Sequence, residues 1–178
     1  MSRLPQLIAF DLDYTLWDLW IDTHVTAPLR RDNDTINQVL DRYDQDIRFY
    51  RDVPQILHRL RDAGVEVAAC SRTTAPTLAN QALRLLLVRP TNEGEEPIPA
   101  VEFFDQLEIY PGSKISHFKQ LHEKTGIPYT EMLFFDDEHR NAEVEKLGVT
   151  FHLVPEGLHA SAFEEGLLTW RQRNGATS

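Results

Sequence analysis

The segment IAFDLDYTLWDLW, residues 8–20, determines how the other parts of the chain are interpreted. It continues a short apolar run, residues 7–10, which is typical of a strand buried on both faces. Two aspartates, Asp11 and Asp13, follow directly. Such carboxylates repel each other and are costly to remove from water unless a cation or a reaction needs them. The segment therefore predicts a strand that ends in a functional site.

Apolar runs and helical patterns alternate along the remaining chain. Further strands are predicted within residues 65–70, 103–110, 132–135 and 150–154. Apolar residues at helical spacing predict helices within residues 53–63, 73–87, 113–125 and 141–147. This alternation indicates an α/β doubly wound fold with a mainly parallel sheet.

Three stretches lack a regular pattern. Residues 17–51 mix aromatic and polar side chains and are interpreted mainly as loops, residues 89–99 as a mobile surface loop, and residues 174–178 as a frayed tail. We expect Tyr14, Trp17 and Trp20 to pack their loop against the domain rather than to recognise a ligand. For His24 we expect a structural hydrogen bond.

Length and composition favour one globular domain, residues 1–178. The chain has 178 residues, 42% of them hydrophobic and 26% charged. A formal net charge of −10 argues against nucleic-acid binding, which normally needs a basic surface. The single cysteine excludes an internal disulfide and favours a reducing compartment. No apolar run is long enough for a signal peptide or a membrane span, so we expect a cytoplasmic protein, with a nuclear pool left open.

Polar side chains follow four of the predicted strands. They are Asp11 with Asp13, Ser71, Lys114, and Asp136 with Asp137. Because ligands of open α/β sheets bind at the carboxyl ends of the strands, these residues are expected to converge on one edge.

The residue types at this edge indicate phosphoryl transfer. Asp11, Asp13 and Asp136 form an all-oxygen set suited to Mg²⁺, and the chain lacks the HExxH and CxxC spacings of zinc sites. Ser71 can donate to an anion, and Lys114 can supply a fixed positive charge. One aspartate can attack phosphorus while a second exchanges a proton with the leaving oxygen and with water.

At these positions the sequence resembles the haloacid dehalogenase superfamily. The segment DLDYTL resembles its first motif, with Asp11, Asp13 and Thr15 at the matched positions. The segment CSRT resembles the second motif at Ser71, and Lys114 matches the lysine of the third. The segment FFDDE resembles the fourth motif at Asp136 and Asp137. The longer words DLDYTLWDLWIDTHV, CSRT and FFDDEHRN resemble the magnesium-dependent phosphatase 1 family most. The resemblance covers about residues 5–155.

The resemblance implies a role for each matched residue near the metal. Asp11 would be the nucleophile and a metal ligand, and Asp13 the general acid and base that also lends its backbone carbonyl to the metal. Asp136 would be the third ligand. Asp137 and Thr15 would lie behind these ligands and hold them in position.

The resemblance also implies which residues hold the substrate. Ser71 and Lys114 would bind the transferred phosphoryl group, and Arg72 would reach the substrate. Family members with a longer last motif carry an aspartate where this chain has Asn141. Whether Asp137 or Asn141 completes the layer behind the metal is left open.

The sequence thus predicts a magnesium-dependent phosphatase that hydrolyses phosphate monoesters through an aspartyl-phosphate. Segments 17–71 and 71–114 are too short for a full cap domain. An open site would accept small-molecule or phosphoprotein substrates, and the resemblance suggests phosphotyrosine-like aryl phosphates or sugar phosphates. We expect a monomer with no nucleic-acid or membrane partner.

Two other classes of protein are weighed against this hypothesis. A receiver-like phospho-aspartate signalling module also uses aspartates, a hydroxyl and a lysine, but its adjacent acidic pair comes first in the chain rather than last. A binding protein with an inactive site would be expected to lack a motif position, and none is lacking here.

Overall fold

The computed structural model describes residues 2–175, with strands and helices alternating along the chain. In chain order they are β1 (Leu7–Phe10), α1 (Ile21–His24), β2 (Val39–Leu40), β3 (Asp46–Ile47), α2 (Val53–Asp62), β4 (Glu66–Ser71), α3 (Pro76–Leu85), β5 (Leu87–Val88), β6 (Ile98–Pro99), β7 (Gln106–Ile109), α4 (Lys114–Thr125), β8 (Met132–Asp136), β9 (Thr150–Leu153) and α5 (Ala160–Arg173). Short 3₁₀ segments span Ala100–Phe103, Tyr129–Glu131 and His139–Leu147.

The central sheet has the strand order β7-β4-β1-β8-β9, and its four pairings are all parallel. The first strand lies in the middle, with Ile8 opposite Val67 on one side and Leu133 on the other. The predicted doubly wound α/β fold is confirmed.

Both faces of the sheet are covered, because alternate residues of each strand point to opposite faces. Ile8 and Phe10 pack into one apolar cluster with the buried sides of α2, α3 and α5. Leu7 and Ala9 pack into a second cluster, which includes Phe118 of α4 and part of the His139–Leu147 segment. Strands buried in this way read as continuous apolar runs, which is why the sequence revealed them.

The chain between β1 and α2 packs on the sheet's own core. It holds α1 and the β2–β3 hairpin, and Val39 and Ile47 of that hairpin belong to the same cluster as Ile8. The expectation that no full cap domain is inserted here agrees with this packing.

Several local predictions need correction. Helix α5 was not predicted; the glycine at its centre, Gly166, faces the ring of Phe135 and leaves no room for a side chain. The predicted helix at residues 141–147 is a 3₁₀ segment, and Ile98–Pro99 forms a strand rather than a loop. Residues 176–178 of the predicted frayed tail lie outside the described residues. No helix within residues 2–175 is both long and apolar enough to cross a bilayer.

Candidate active site

The polar residues predicted from four strand ends do meet at the carboxyl edge of the sheet. Asp11 directly follows β1, and its backbone N–H donates to the carbonyl of Phe135 in the neighbouring strand β8 (3.0 Å). Ser71 and Asp136 are the last residues of β4 and β8, and Lys114 is the first residue of α4. The Ser113 hydroxyl caps α4 by accepting from the Ser116 N–H (3.2 Å), which fixes the start of that helix.

Three carboxylates form a tight group at this edge. Asp11, Asp136 and Asp137 each place one oxygen within 4.8 Å of the others, and the first two are buried while Asp137 is half-buried. Asp137, which the sequence analysis placed behind the metal ligands, therefore lies among the carboxylates that can hold a cation.

Asp13 lies beside this group but its side chain is engaged elsewhere. Its Oδ1 accepts from the Trp17 indole N–H (2.8 Å) and from the Ile21 N–H (3.2 Å). The carboxylate still lines the cavity described below, so it can exchange a proton with a molecule bound there. The role of its backbone carbonyl stays a prediction.

A buried ammonium partly balances the carboxylates. Lys114 is 1% exposed, and its Nζ donates to Asp11 Oδ1 (2.9 Å) and lies 3.2 Å from Asp136 Oδ2. Burial works to lower the pKa of Lys114, but Asp11 and Asp136 outweigh burial and raise that pKa. The lysine therefore stays charged in the folded protein.

Burial dominates the titration of the acidic residues. It raises the pKa of Asp11, Asp13, Asp136 and Asp137 each to about 6, and the mutual repulsion of the carboxylates adds to this effect. Lys114 counteracts part of the rise at Asp11 and Asp136. In their ionised forms the three clustered carboxylates outnumber the one ammonium beside them.

This donor set fits Mg²⁺. Hard divalent cations prefer carboxylate oxygens, and one such cation would offset the charge that Lys114 leaves uncompensated. The Thr15 hydroxyl helps to orient the group: it donates to Asp11 Oδ2 (3.1 Å), lies 3.3 Å from Asp137 Oδ1, and accepts from the Asp137 N–H (3.2 Å).

Asp11 and Asp13 line a cavity of about 220 Å³. Ser71 and Arg72 line it, as the sequence predicted, together with Lys114. The Ser71 hydroxyl accepts from the Thr73 N–H (3.3 Å), which leaves its own proton free to donate to a bound anion.

The rim of the cavity includes residues that the sequence analysis did not assign to a site. Asp22 accepts from the hydroxyl of Thr74 (2.9 Å) and so ties α1 to the loop after β4. Trp20 also lines the cavity and is 49% exposed, so it borders the site as well as packing within its own loop. Trp17 does pack: it is fully buried and stacks on Phe49.

Aromatic neighbours hold Trp20 in place. His24 stacks on it with a centroid distance of 5.5 Å, and Tyr14 meets it edge to face at 5.3 Å. The Trp20 N–H donates to His24 Nδ1 (3.0 Å), which is a structural hydrogen bond of the kind expected for this histidine.

Asn141 is buried at the junction of the two sides of the cavity. Its Nδ2 donates to Asp136 Oδ2 (2.7 Å), and its Oδ1 accepts from Arg72 Nη1 (3.4 Å). Both Asp137 and Asn141 therefore contact the cluster, Asp137 as a member and Asn141 from behind Asp136.

Comparison with known proteins places this site in a family context. Residues 3–173 match the family model described as Acid Phosphatase. The chain is 46% identical to human magnesium-dependent phosphatase 1 over 96% of its own length and 89% of that protein. It is 51% identical to a HAD-like hydrolase superfamily protein of Schizosaccharomyces pombe over 84% of its own length and 85% of that protein.

Solved structures agree on the fold. A HAD family enzyme of Bacteroides thetaiotaomicron, determined as a magnesium complex, superposes with a TM-score of 0.62 at 15% identity. The match covers 91% of this chain and 99% of that enzyme.

Proposed function

Because this chain belongs to the acid phosphatase family, and to the same family as magnesium-dependent phosphatase 1, we propose that it hydrolyses phosphate monoesters through an aspartyl-phosphate on Asp11. The observation that carries this proposal is the buried meeting of Asp11, Lys114 and Asp136 at the edge of the sheet. Nucleophile, fixed positive charge and cation-binding carboxylate are the parts that phosphoryl transfer needs.

The carboxylates of Asp11, Asp136 and Asp137, together with the backbone carbonyl of Asp13, would hold Mg²⁺. When bound, the cation supplies positive charge that neutralises the phosphoryl oxygens. Lys114 adds a second positive charge from the protein, and the Ser71 hydroxyl donates a hydrogen bond to the same group.

In the first half of the reaction, an oxygen of Asp11 forms a bond to phosphorus while the bond from phosphorus to the ester oxygen breaks. Asp13 gives its proton to that leaving oxygen. Because burial raises the pKa of Asp13 to about 6, this carboxyl retains a proton closer to neutral pH than an exposed aspartate does.

In the second half, a water molecule attacks the phosphorus of the aspartyl-phosphate. Asp13 takes the proton of that water, the bond between Asp11 and phosphorus breaks, and inorganic phosphate leaves. Both aspartates return to their starting protonation states, so the cycle is balanced.

Removal of divalent cations tests the cation site. With excess EDTA, we expect hydrolysis of phenyl phosphate to fall by at least about a hundredfold, because the phosphoryl charge is no longer neutralised. Adding Mg²⁺ back should restore the rate. Calcium, which prefers more ligands at longer distances, should restore much less of it. Activity that is indifferent to chelation would contradict the proposal.

The size of the cavity favours an open site. About 220 Å³ is below the usual range of pockets that enclose a whole small molecule, about 300–1,000 Å³. The phosphoryl group would occupy the part of it beside Asp11 and Lys114, and the leaving group would lie across the rim. Small-molecule esters and phosphoprotein side chains are then both admitted.

The exposed part of Trp20 favours aryl leaving groups among these substrates. Trp20 borders the cavity and is 49% exposed although His24 stacks on it. Offset stacking of a planar ring on the exposed part of the indole would contribute about 1 kcal/mol.

Replacing Trp20 by alanine tests this preference. We expect KM for phenyl phosphate to rise about fivefold, the equivalent of one stacking contact, while KM for glycerol phosphate stays unchanged. Tyr43→Ala, which removes an aromatic ring that is 74% exposed and does not line the cavity, is the matched control.

Tryptophan fluorescence gives a second measurement of the same contact. Trp17 and Trp170 are fully buried and Trp20 is 49% exposed, so phenyl phosphate added to an inactive Asp11→Asn variant should alter the emission mainly through Trp20. An unchanged emission would overturn the aryl preference. The preference would also be overturned if the wild type preferred a sugar phosphate to phenyl phosphate and Trp20→Ala did not.

A further inference from the structure

A buried amide stands between the cation side and the substrate side of the site. Asn141 is 2% exposed and belongs to the 3₁₀ segment His139–Leu147. Its two polar atoms contact Asp136 on the cation side (2.7 Å) and Arg72 on the substrate side (3.4 Å). The catalytic steps proposed above do not use it.

Only one orientation of this amide satisfies both neighbours. A carboxylate has acceptors alone and a guanidinium has donors alone, so Nδ2 must face Asp136 and Oδ1 must face Arg72. Aspartate at this position would present two acceptors, and leucine would present no polar atom. The side chain at position 141 must therefore offer one donor and one acceptor as well as fit the space.

The contacts of Asp136 show what the amide holds in place. The Glu138 N–H donates to Asp136 Oδ1 (2.9 Å), while Oδ2 faces both Asn141 Nδ2 and Lys114 Nζ. Both oxygens are thus oriented by the protein, and Oδ1, which accepts one hydrogen bond, keeps a lone pair for a cation. Because the orienting group is neutral, the cluster keeps three carboxylates rather than four.

We propose that Asn141 is a positioning residue that orients Asp136 toward the cation and Arg72 toward the substrate at the same time. This inference rests on the proposed function, which defines the two sides. Asn141 acts through its neighbours, as the hydrogen-bonding partners of metal ligands generally do.

Two variants of Asn141 separate this role from simple packing. Calorimetric titration of the substrate-free protein with Mg²⁺ should show about tenfold weaker binding for Asn141→Leu, which no longer orients Asp136. Asn141→Asp cannot donate to Asp136 either and sets a carboxylate against its Oδ2, so it should also bind Mg²⁺ more weakly, by about threefold or more. Aspartate fills nearly the volume of asparagine, so weaker binding in both variants reports the lost donor rather than lost packing.

Steady-state kinetics report on the substrate side. At saturating Mg²⁺, KM for phenyl phosphate should rise at least about threefold in both variants, which is the low end of the range for one net hydrogen bond. Leucine leaves the Arg72 guanidinium without its partner, and aspartate pairs with that guanidinium in competition with the substrate.

Asn80 provides the matched control. It is half-buried in α3, and its amide donates to the Pro76 carbonyl (2.8 Å) away from the cavity. Asn80→Leu and Asn80→Asp make the same changes there, so they should leave Mg²⁺ binding and KM within about twofold of wild type.

The results of these measurements decide between positioning and packing. Mg²⁺ binding within about twofold of wild type in both folded Asn141 variants, or tighter binding in either, would overturn the proposal. If Asn141→Leu fails to fold, the nearly isosteric Asn141→Asp decides alone, by weaker Mg²⁺ binding with a higher KM. A wild-type protein that binds Mg²⁺ but hydrolyses no phosphate ester would refute the proposed function, while the calorimetry would still decide the role of Asn141.

Discussion

Asp11→Asn is expected to lower kcat for phenyl phosphate by at least about a thousandfold, which is typical of removing a covalent nucleophile. The asparagine amide keeps the shape of the aspartate side chain, but it cannot attack phosphorus to form the acyl phosphate. Lys114 still faces Asp136 Oδ2 at 3.2 Å, so the variant should fold. Steady-state assays at saturating Mg²⁺, with circular dichroism to confirm folding, make the measurement.

Mass spectrometry makes the test of Asp11 specific. Rapid acid quenching of the wild type during turnover should add one phosphoryl group to the peptide that contains Asp11, and the variant should carry none. Asp62→Asn, the same change on the exposed end of α2, should retain full activity. Turnover of Asp11→Asn within about tenfold of wild type, in protein shown to be free of deamidation, would assign the nucleophile elsewhere.

Lys114→Ala is expected to lower kcat/KM by at least about a hundredfold, the usual cost of removing a fixed charge aimed at a transferring group. The same change leaves Asp11 and Asp136 buried without their ammonium, which for a buried pair costs about 3–5 kcal/mol of folding free energy. Added Mg²⁺ should therefore raise the melting temperature more in the variant than in the wild type, because the cation replaces the missing charge.

Two further variants protect this test from a folding artefact. Lys114→Met keeps the apolar stem of the side chain and should show the same loss of rate with a smaller loss of stability. Lys119→Ala removes an exposed lysine from the same helix and should leave rate and stability unchanged. A loss below about threefold, or roughly 0.7 kcal/mol, in folded Lys114 variants would place this lysine outside the reaction.

Strands β1, β4 and β8 of the central sheet could be predicted because each contains a local apolar run, while β7 and β9 mix apolar with polar residues and give a weaker local pattern. Helix α5 could not be predicted, since the glycine at its centre weakens the helical signal. Gly166 is there because the Phe135 ring lies where a Cβ would be, at 2.4 Å. That contact joins residues far apart in sequence, so no local pattern contains it.

The residues of the candidate site also divide into those that the sequence predicts and those that it does not. Asp11, Ser71, Lys114 and Asp136 could be predicted because each stands at a strand end or a helix start, and the parallel sheet brings such ends to one edge. The exposure of Trp20 could not be predicted, since an aromatic residue in a loop is equally compatible with packing and with a cavity rim.

By itself, the sequence determined the alternating α/β order and the edge at which the polar residues gather, because burial period and strand ends are local properties. Only the tertiary structure decided that Asp137 joins the carboxylates, that Asn141 bridges Asp136 and Arg72, and that Trp20 borders the cavity. Those outcomes depend on distances between side chains from separate elements, and such distances exist only once the sheet has brought the elements together.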